Sequence, residues 1–320
     1  MNPAAAKGAT GGQIESRRAE PSASVPPREH AALLILGRMG RLATGRYAEL
    51  VENAGSAYAV LERERLMAAA QTSFFTDPEQ ELRKELNHAE RELANWRAQG
   101  MRFVGVLEPA YPANLRAAHD RPPFVFIAGQ MKPRDDRAVA VIGSREASRQ
   151  GLRAAAAVAQ HLAKHRYTVV SGLAAGIDTA AHTAALKAGG RTIAVIGTGL
   201  ARCYPRANVI LQRRIAAECA VVSQFQPDTP PSQETFPLRN AVMSGLSLAT
   251  VIVEAGPTSG TRIQARQSLA QGRPVFLPEP MLGERWAREL AELSPVYVVA
   301  SLDEITTALE RLSSAQPLVA

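Results

Sequence analysis

Two rhythms of apolar and polar residues divide the chain. From His30 to about Glu64 the apolar residues recur at helical spacing. There AALLILGRMG is an apolar turn followed by Gly37 and Gly40, and RYAELVENAG and AYAVLERE predict two short helices. Residues 78–99, PEQELRKELNHAERELANWRAQ, predict a long polar helix with an apolar stripe of Leu82, Leu86, Leu93 and Trp96. Glu and Arg alternate along its other face, partly at i,i+4 spacing. Ahead of these, residues 1–29 are rich in Ala, Gly, Pro and Ser, show no apolar period and predict a disordered tail.

FVGVL and FVFIAG predict short strands, separated by the proline-punctuated loops EPAYPANL and DRPP. From residue 138 near-continuous apolar runs alternate with amphipathic helices. AVAVIG, YTVVSG, TIAVIGTG, AVVSQ, ATVIVEAG, PVFLP and VYVVA read as strands. Between and after them RQGLRAAAAVAQHLAKH, TAAHTAALKAGG, NVILQRRIAAEC, LRNAVMSGLS, TRIQARQSLAQG and LDEITTALERL read as helices. Short strands with no polar face need cover on both sides. The pattern therefore predicts an α/β fold, a Rossmann-like doubly wound parallel sheet preceded by a small helical N-terminal domain. The expected units are a tail over 1–29, a helical domain over 30–100 and the α/β domain over 101–320.

With 46% hydrophobic and 21% charged residues in 320, the chain has the means to build a sizeable core. No apolar run approaches the length of a membrane-spanning helix, and the first residues carry no apolar signal core, so a cytoplasmic protein is expected. Two cysteines, Cys203 and Cys219, are too few for a disulfide framework or a structural zinc site. Charge changes the picture more. Residues 139–273 hold 15 Lys/Arg against 6 Asp/Glu, whereas residues 274–320 hold 3 against 7. The positive field thus belongs to the α/β core and favours a polyanionic partner, although an arginine-rich solvated surface explains it equally well.

Ligands of such sheets bind beyond the carboxyl ends of the strands, and three strand ends here carry matching chemistry. Gly143-Ser144-Arg145 follows AVAVI, Ser171-Gly172-Leu173-Ala174-Ala175-Gly176-Ile177-Asp178 follows YTVV, and Gly256 to Thr261 follows ATVIVEA. Glycine lets backbone approach a phosphate, and a helix N-terminus offers free N–H groups and a favourable dipole. Ser144, Ser171, Ser259 and Thr261 add hydroxyls, Gly260 opens a helix, and Arg145 adds a planar cationic fork. Glycine also serves plain strand-to-helix turns, but three turns at one sheet edge favour a phosphate-bearing ligand.

Several chemistries are disfavoured. No G-x-G-x-x-G with a following acid and no G-x-x-x-x-G-K-[ST] is present, so neither a dinucleotide cofactor nor a P-loop is expected. Gly197-Thr198-Gly199 reads as a turn. Asp178 and His182 stand at i,i+4 but lack a third ligand, and Asp178 suits a helix N-cap, so no metal is expected there. Cys203 and Ser171 have no arranged base, so no nucleophile and no catalysis is expected. Phe236-Pro237-Leu238-Arg239-Asn240 sets a ring, a guanidinium and an amide within one short stretch ahead of a helix. A base stacked on Phe236 with its phosphate on Arg239 is one reading. A buried loop anchor, with Arg239 paired for example to Glu254, is the other.

At these residues the chain resembles the DNA-processing protein A (DprA/Smf) family. The resemblance rests on VIGSREASRQG, VVSGLAAGIDTAAHTAAL, GGRTIAVIGTGLARCYPRAN, FPLRNAVMSGLS, VIVEAGPTSGTRIQA and GRPVFLP, in order over most of the α/β domain. Weaker similarity runs through YPANLRAAHDRPPFVFIAG. The resemblance implies an extended Rossmann-type sheet without a nucleotide cofactor and a sterile-alpha-motif-like helical module. It also implies single-stranded DNA binding, a homodimer and delivery of DNA to the RecA recombinase. The implied phosphate and DNA contacts are Gly143, Ser144, Arg145, Gly172, Gly176, Phe236, Arg239, Asn240, Ser259 and Gly260.

Departures from the family pattern are visible as well. Its R-N-R ends here in Ala241, its Ser-Glu after the fourth strand of the α/β region is Ser223-Gln224, and Glu279 stands where a glycine is usual. Arg262 and Gln264 occupy a helix that is normally more apolar, and no C-terminal winged helix is expected. The alternative function is a sensor of nucleotide-derived ligands, or a phosphoribohydrolase-like enzyme of the same superfamily. Gln264, standing where that chemistry wants an acid, counts against hydrolysis.

Overall fold

The protein is described here from a computed structural model covering residues 25–40, 44–69, 77–256 and 260–315. Residues 1–24 of the expected tail and Ser259 of the expected site lie outside the described residues. Four helices come first, α1 (Pro27–Met39), α2 (Thr44–Ala54), α3 (Ala57–Ala69) and α4 (Pro78–Ala98). Pro26 and Pro27 start α1 three residues ahead of the expected His30, and Gly40, with φ of 60°, closes it in the left-handed region. Asp77 caps α4 by accepting from the Glu79 and Gln80 amides, Pro78 occupies the first turn, and Glu79 and Glu81 favour the positive dipole end. The buried stripe of α4 is Leu82, Leu86, Ala89 and Trp96, with Leu93 at its margin.

The nine expected strands all form: β1 (Met101–Gly105), β2 (Phe124–Gly129), β3 (Ala138–Gly143), β4 (Thr168–Ser171), β5 (Thr192–Val195), β6 (Ala220–Ser223), β7 (Ala249–Glu254), β8 (Val275–Pro278) and β9 (Val296–Val299). The remaining helices are α5 (Ala113–Arg116), α6 (Arg149–Lys164), α7 (Ile177–Lys187), α8 (Val209–Glu218), α9 (Thr235–Gly245), α10 (Thr261–Ala270), α11 (Arg285–Ala291) and α12 (Leu302–Ala315). One sheet holds all nine strands in the order β1-β2-β6-β5-β4-β3-β7-β8-β9. From β6 to β9 the pairing is parallel, while β2 joins β6 and β1 joins β2 antiparallel.

Successive residues of β3 face opposite sides. Val139 and Val141 enter one core with α6, α7 and α12, while Ala138, Ala140 and Ile142 enter the other with α9, α10 and α11. That second core runs without a break into α1–α4, where Phe103, Phe124, Phe126 and Trp96 contact one another edge to face or tilted. Part of the positive surplus is internal to the fold. Arg191 grips Asp135 through two bonds of 2.8 Å at almost no exposure, so that cation does not face a partner. No helix of the described residues is long and apolar enough to cross a membrane.

Candidate functional site

From β3 the chain steps through β4, β5 and β6 to one side, then returns beside β3 as β7 and steps away through β8 and β9. The strand order therefore reverses between β3 and β7, and the crevice beyond their carboxyl ends is the natural ligand position. A cleft of about 720 Å³ lies there, within the size range of small-ligand sites. It is lined by Gly143, Ser144 and Arg145 after β3, by Phe236, Arg239 and Asn240 of α9, and by Gly260 and Thr261 at the start of α10. Eight of the expected residues thus converge.

Ser171, Gly172 and Gly176 do not line the cleft. Ser171 is fully buried and donates its hydroxyl to the Val141 carbonyl at 2.7 Å, so it has nothing left to offer a phosphate. The Gly172 amide donates to the Asp178 carboxylate at 3.1 Å. Gly176 stands ahead of α7 with φ of 75°, and a Cβ there would meet the Ser144 and Arg145 carbonyls. Its service is to let the β3 turn pack on the α7 entry.

The expectation of Asp178 as an N-cap is corrected as well. It is the second residue of α7, and its buried carboxylate accepts from Gly172 and Ala174 in the loop before the helix. Burial raises its pKa first, against the lowering pull of the Arg239 charge and of those amides. His182 is fully buried, and its Nδ1 stands 2.6 Å from the Thr192 hydroxyl inside the core. Cys203 is half-buried, which raises its thiol pKa.

Arg239 does not pair with Glu254. Its guanidinium is buried, donates to the Val195 carbonyl at 3.1 Å and faces Asp178 across Gly172. Glu254 instead reaches α6, accepting from the Ser148 amide at 2.8 Å and from the Ser148 hydroxyl. Ser148 in turn accepts from the Gly151 amide at 2.9 Å, and Gly151 has no Cβ to obstruct the carboxylate. Glu254→Gln is expected to lower stability by about 1 kcal/mol, through loss of a charge at a helix N-terminus. Urea unfolding reads this directly; an unchanged midpoint would remove Glu254 from the cap.

Two of the three glycine turns are therefore already closed from within, α6 by Glu254 and the loop before α7 by Asp178. Gly260 and Thr261 bring the α10 N-terminus to the cleft, together with Phe236 and Pro237 of the first turn of α9. Opposite it, α9 starts three residues earlier than its apolar pattern suggests. Ser232 and Thr235 exchange side-chain-to-amide bonds of 3.1 Å, and Pro237 is tolerated in the first turn. Phe236, Arg239 and Asn240 thereby fall at i, i+3 and i+4 on one helical face instead of in a loop.

Phe236 sits over Gly197, with the Arg145 guanidinium 5.0 Å and the Arg239 guanidinium 6.0 Å from its ring centroid. Tyr204 adds a second ring 5.8 Å away and is 47% exposed. Sequence reasoning missed Tyr204; the aromatic residue after the Gly197-Thr198-Gly199 turn was the available signal. That turn itself belongs to the fold, since Gly199 packs on the Gln226 and Pro227 carbonyls. Arg262 points to the Trp286 ring of α11, with its guanidinium 5.7 Å away. Ala241 is buried, and its carbonyl accepts from Gln271.

Residues 102–306 match the DNA recombination-mediator protein A family. The chain belongs to that family. It is 42% identical over 171 residues to DNA processing protein DprA of Streptococcus pneumoniae, covering 53% of this chain and 60% of the relative. Against DNA processing protein DprA of Bacillus subtilis the identity is 36% over 187 residues, covering 58% and 63%. Protein Smf of Escherichia coli is 42% identical over 173 residues, covering 53% and 46%. The chain thus spans about 60% of the length of the first two curated family members.

Solved structures of the family agree. DprA of Streptococcus pneumoniae superposes with a TM-score of 0.69 at 29% identity, over 88% of this chain and 98% of that one. DNA processing protein A of Helicobacter pylori, described for its unique single-stranded DNA binding mode, gives a TM-score of 0.58 at 26% identity, over 65% and 96%.

Proposed function

We propose that this family member binds single-stranded DNA in recombination, delivers or protects it for the RecA recombinase, and acts without catalysis, in the cytoplasm and as a homodimer. In this reading residues 30–100 serve as the helical module and residues 101–320 carry the DNA site. The observation that carries it is Arg145, exposed at the mouth of the crossover cleft, with its guanidinium over Phe236 and the α10 N-terminus opposite. An exposed cation beside aromatic rings and a helix start is the chemistry that follows a phosphate backbone while tolerating any base. The cleft carboxylates support a non-catalytic role: Asp178 is held by two amides, and Glu146 is exposed.

Oligo-dT anisotropy at two or more salt concentrations tests the reading. Wild-type affinity should fall with salt at a log–log slope of about −0.7 per phosphate contacted. Arg145→Ala should weaken binding to all sequences alike and flatten the slope by about that one contact. A slope that does not change would take Arg145 out of the phosphate path.

One observation favours a nucleotide-derived small ligand as the second reading. Gln264 lines the cleft at 4% exposure, and its Nε2 is buried without a hydrogen-bond partner. Saturable binding of nucleoside monophosphates, with no binding of oligo-dT, would promote it.

A further inference from the structure

On the face of the sheet covered by α6, α7 and α12, α6 ends against the first turn of α12. His161 and His165 stand at i,i+4 across the last turn of α6, their ring centroids 4.5 Å apart. Asp303 enters from α12, with a carboxylate oxygen 3.9 Å from His161 Nε2. One ligand atom from each of the three lies within 4.8 Å of the others. Ligands held at about 2.0–2.2 Å by one tetrahedral ion stand about 3.4 Å apart, so small side-chain rotations close the set.

We propose that His161, His165 and Asp303 form a site for a late first-row divalent cation, zinc above all, that fastens α12 to α6. Two imidazoles and a carboxylate are a donor set that suits zinc, with water free to take the fourth position. The surroundings favour a cation. The carbonyl end of α6 carries the negative pole of the helix dipole. Asp303 is 89% exposed and has no partner other than His161 for its carboxylate among the described residues. Its neighbour Glu304 is already engaged with the Ala300 amide and the Ser301 hydroxyl. His161 Nε2 also makes a long 3.3 Å contact to the Thr306 hydroxyl, which a metal bond outcompetes.

The experiment uses the full chain stripped with EDTA and then titrated with Co²⁺ and Zn²⁺. One equivalent of Co²⁺ should bind with the intense visible absorption of a four-coordinate site, Zn²⁺ should displace it, and Tm should rise with zinc. Asp303→Asn, at an exposed position, should fold normally and weaken zinc by at least about tenfold. His161→Gln with His165→Gln should abolish binding, since losing a ligand costs more than the roughly 10- to 100-fold lost with an outer partner. Three results would each overturn the site: no binding at 100-µM zinc (about that concentration), full affinity in Asp303→Asn, or one-equivalent binding that survives the double His variant.

Discussion

Gly172→Ala is expected to destabilise the protein by about 3 kcal/mol or more and to empty the wall of the cleft formed by Arg239. The new methyl group would fall on the Arg239 guanidinium and 2.8 Å from an Asp178 carboxylate oxygen. Arg239 is 5% exposed and lines the cleft, so it would have to withdraw into the cleft and give up the Val195 carbonyl. Once displaced, it leaves Asp178 as a buried charge without its cation, held by neutral donors such as the backbone amides of Gly172 and Ala174. Arg239→Ala should cost about 3–5 kcal/mol at neutral pH for the same reason, because an uncompensated buried carboxylate remains.

The two substitutions should not add. With Arg239 shortened, the methyl group at residue 172 has space, so Gly172→Ala should cost much less in that background than alone. The coupling should fall at the upper end of the roughly 0.5–3 kcal/mol seen for residues in contact. Urea denaturation of the four proteins measures it. Strictly additive losses would mean that Gly172 is required for its backbone conformation instead of for the guanidinium packed against it.

What could be read ahead of the structure follows from what is local. AVAVI is apolar at every position and ATVIV at every position but Thr250, so burial on both faces, and with it the parallel sheet, was legible. The antiparallel addition of β1 and β2 beyond β6 was not, because a strand's pattern reports how it is buried and not which neighbour it takes. At the site, glycines at strand ends correctly marked the carboxyl edge. Their commitments stayed hidden, because the group that closes the α6 entry and the guanidinium packed on Gly172 come from elsewhere in the chain. Glu254 meets Ser148 across 106 positions, and Arg239 reaches Val195 across 44. Even the start of α9 was set by a polar exchange, Ser232 with Thr235, that apolar periodicity does not register.

The same buried floor makes the protein acid-sensitive through His182. Thr192 donates its one hydroxyl hydrogen to the Val169 carbonyl at 2.8 Å, so its oxygen accepts from His182 Nδ1, which must carry the proton. A second proton would have to enter at Nε2, which is buried without a hydrogen-bond partner. Burial therefore lowers the pKa to about 3, the Ser171 backbone opposing this in part and the Arg239 charge adding to it. An unfolded histidine titrates near 6.5, so between that value and the folded one the unfolded chain holds the extra proton. Stability from this group is complete above pH 6.5 or so and falls by about 1.4 kcal/mol per pH unit below it, or about 2 kcal/mol by pH 5. Asp178 acts in the opposite direction, since a raised carboxyl pKa favours the folded state as pH drops, and it is present in wild type and variant alike. Comparing wild type with His182→Gln at pH 7 and pH 5 isolates the histidine: the variant starts less stable but should lose about 2 kcal/mol less on acidification. Parallel losses in the two proteins would place the acid sensitivity in other groups.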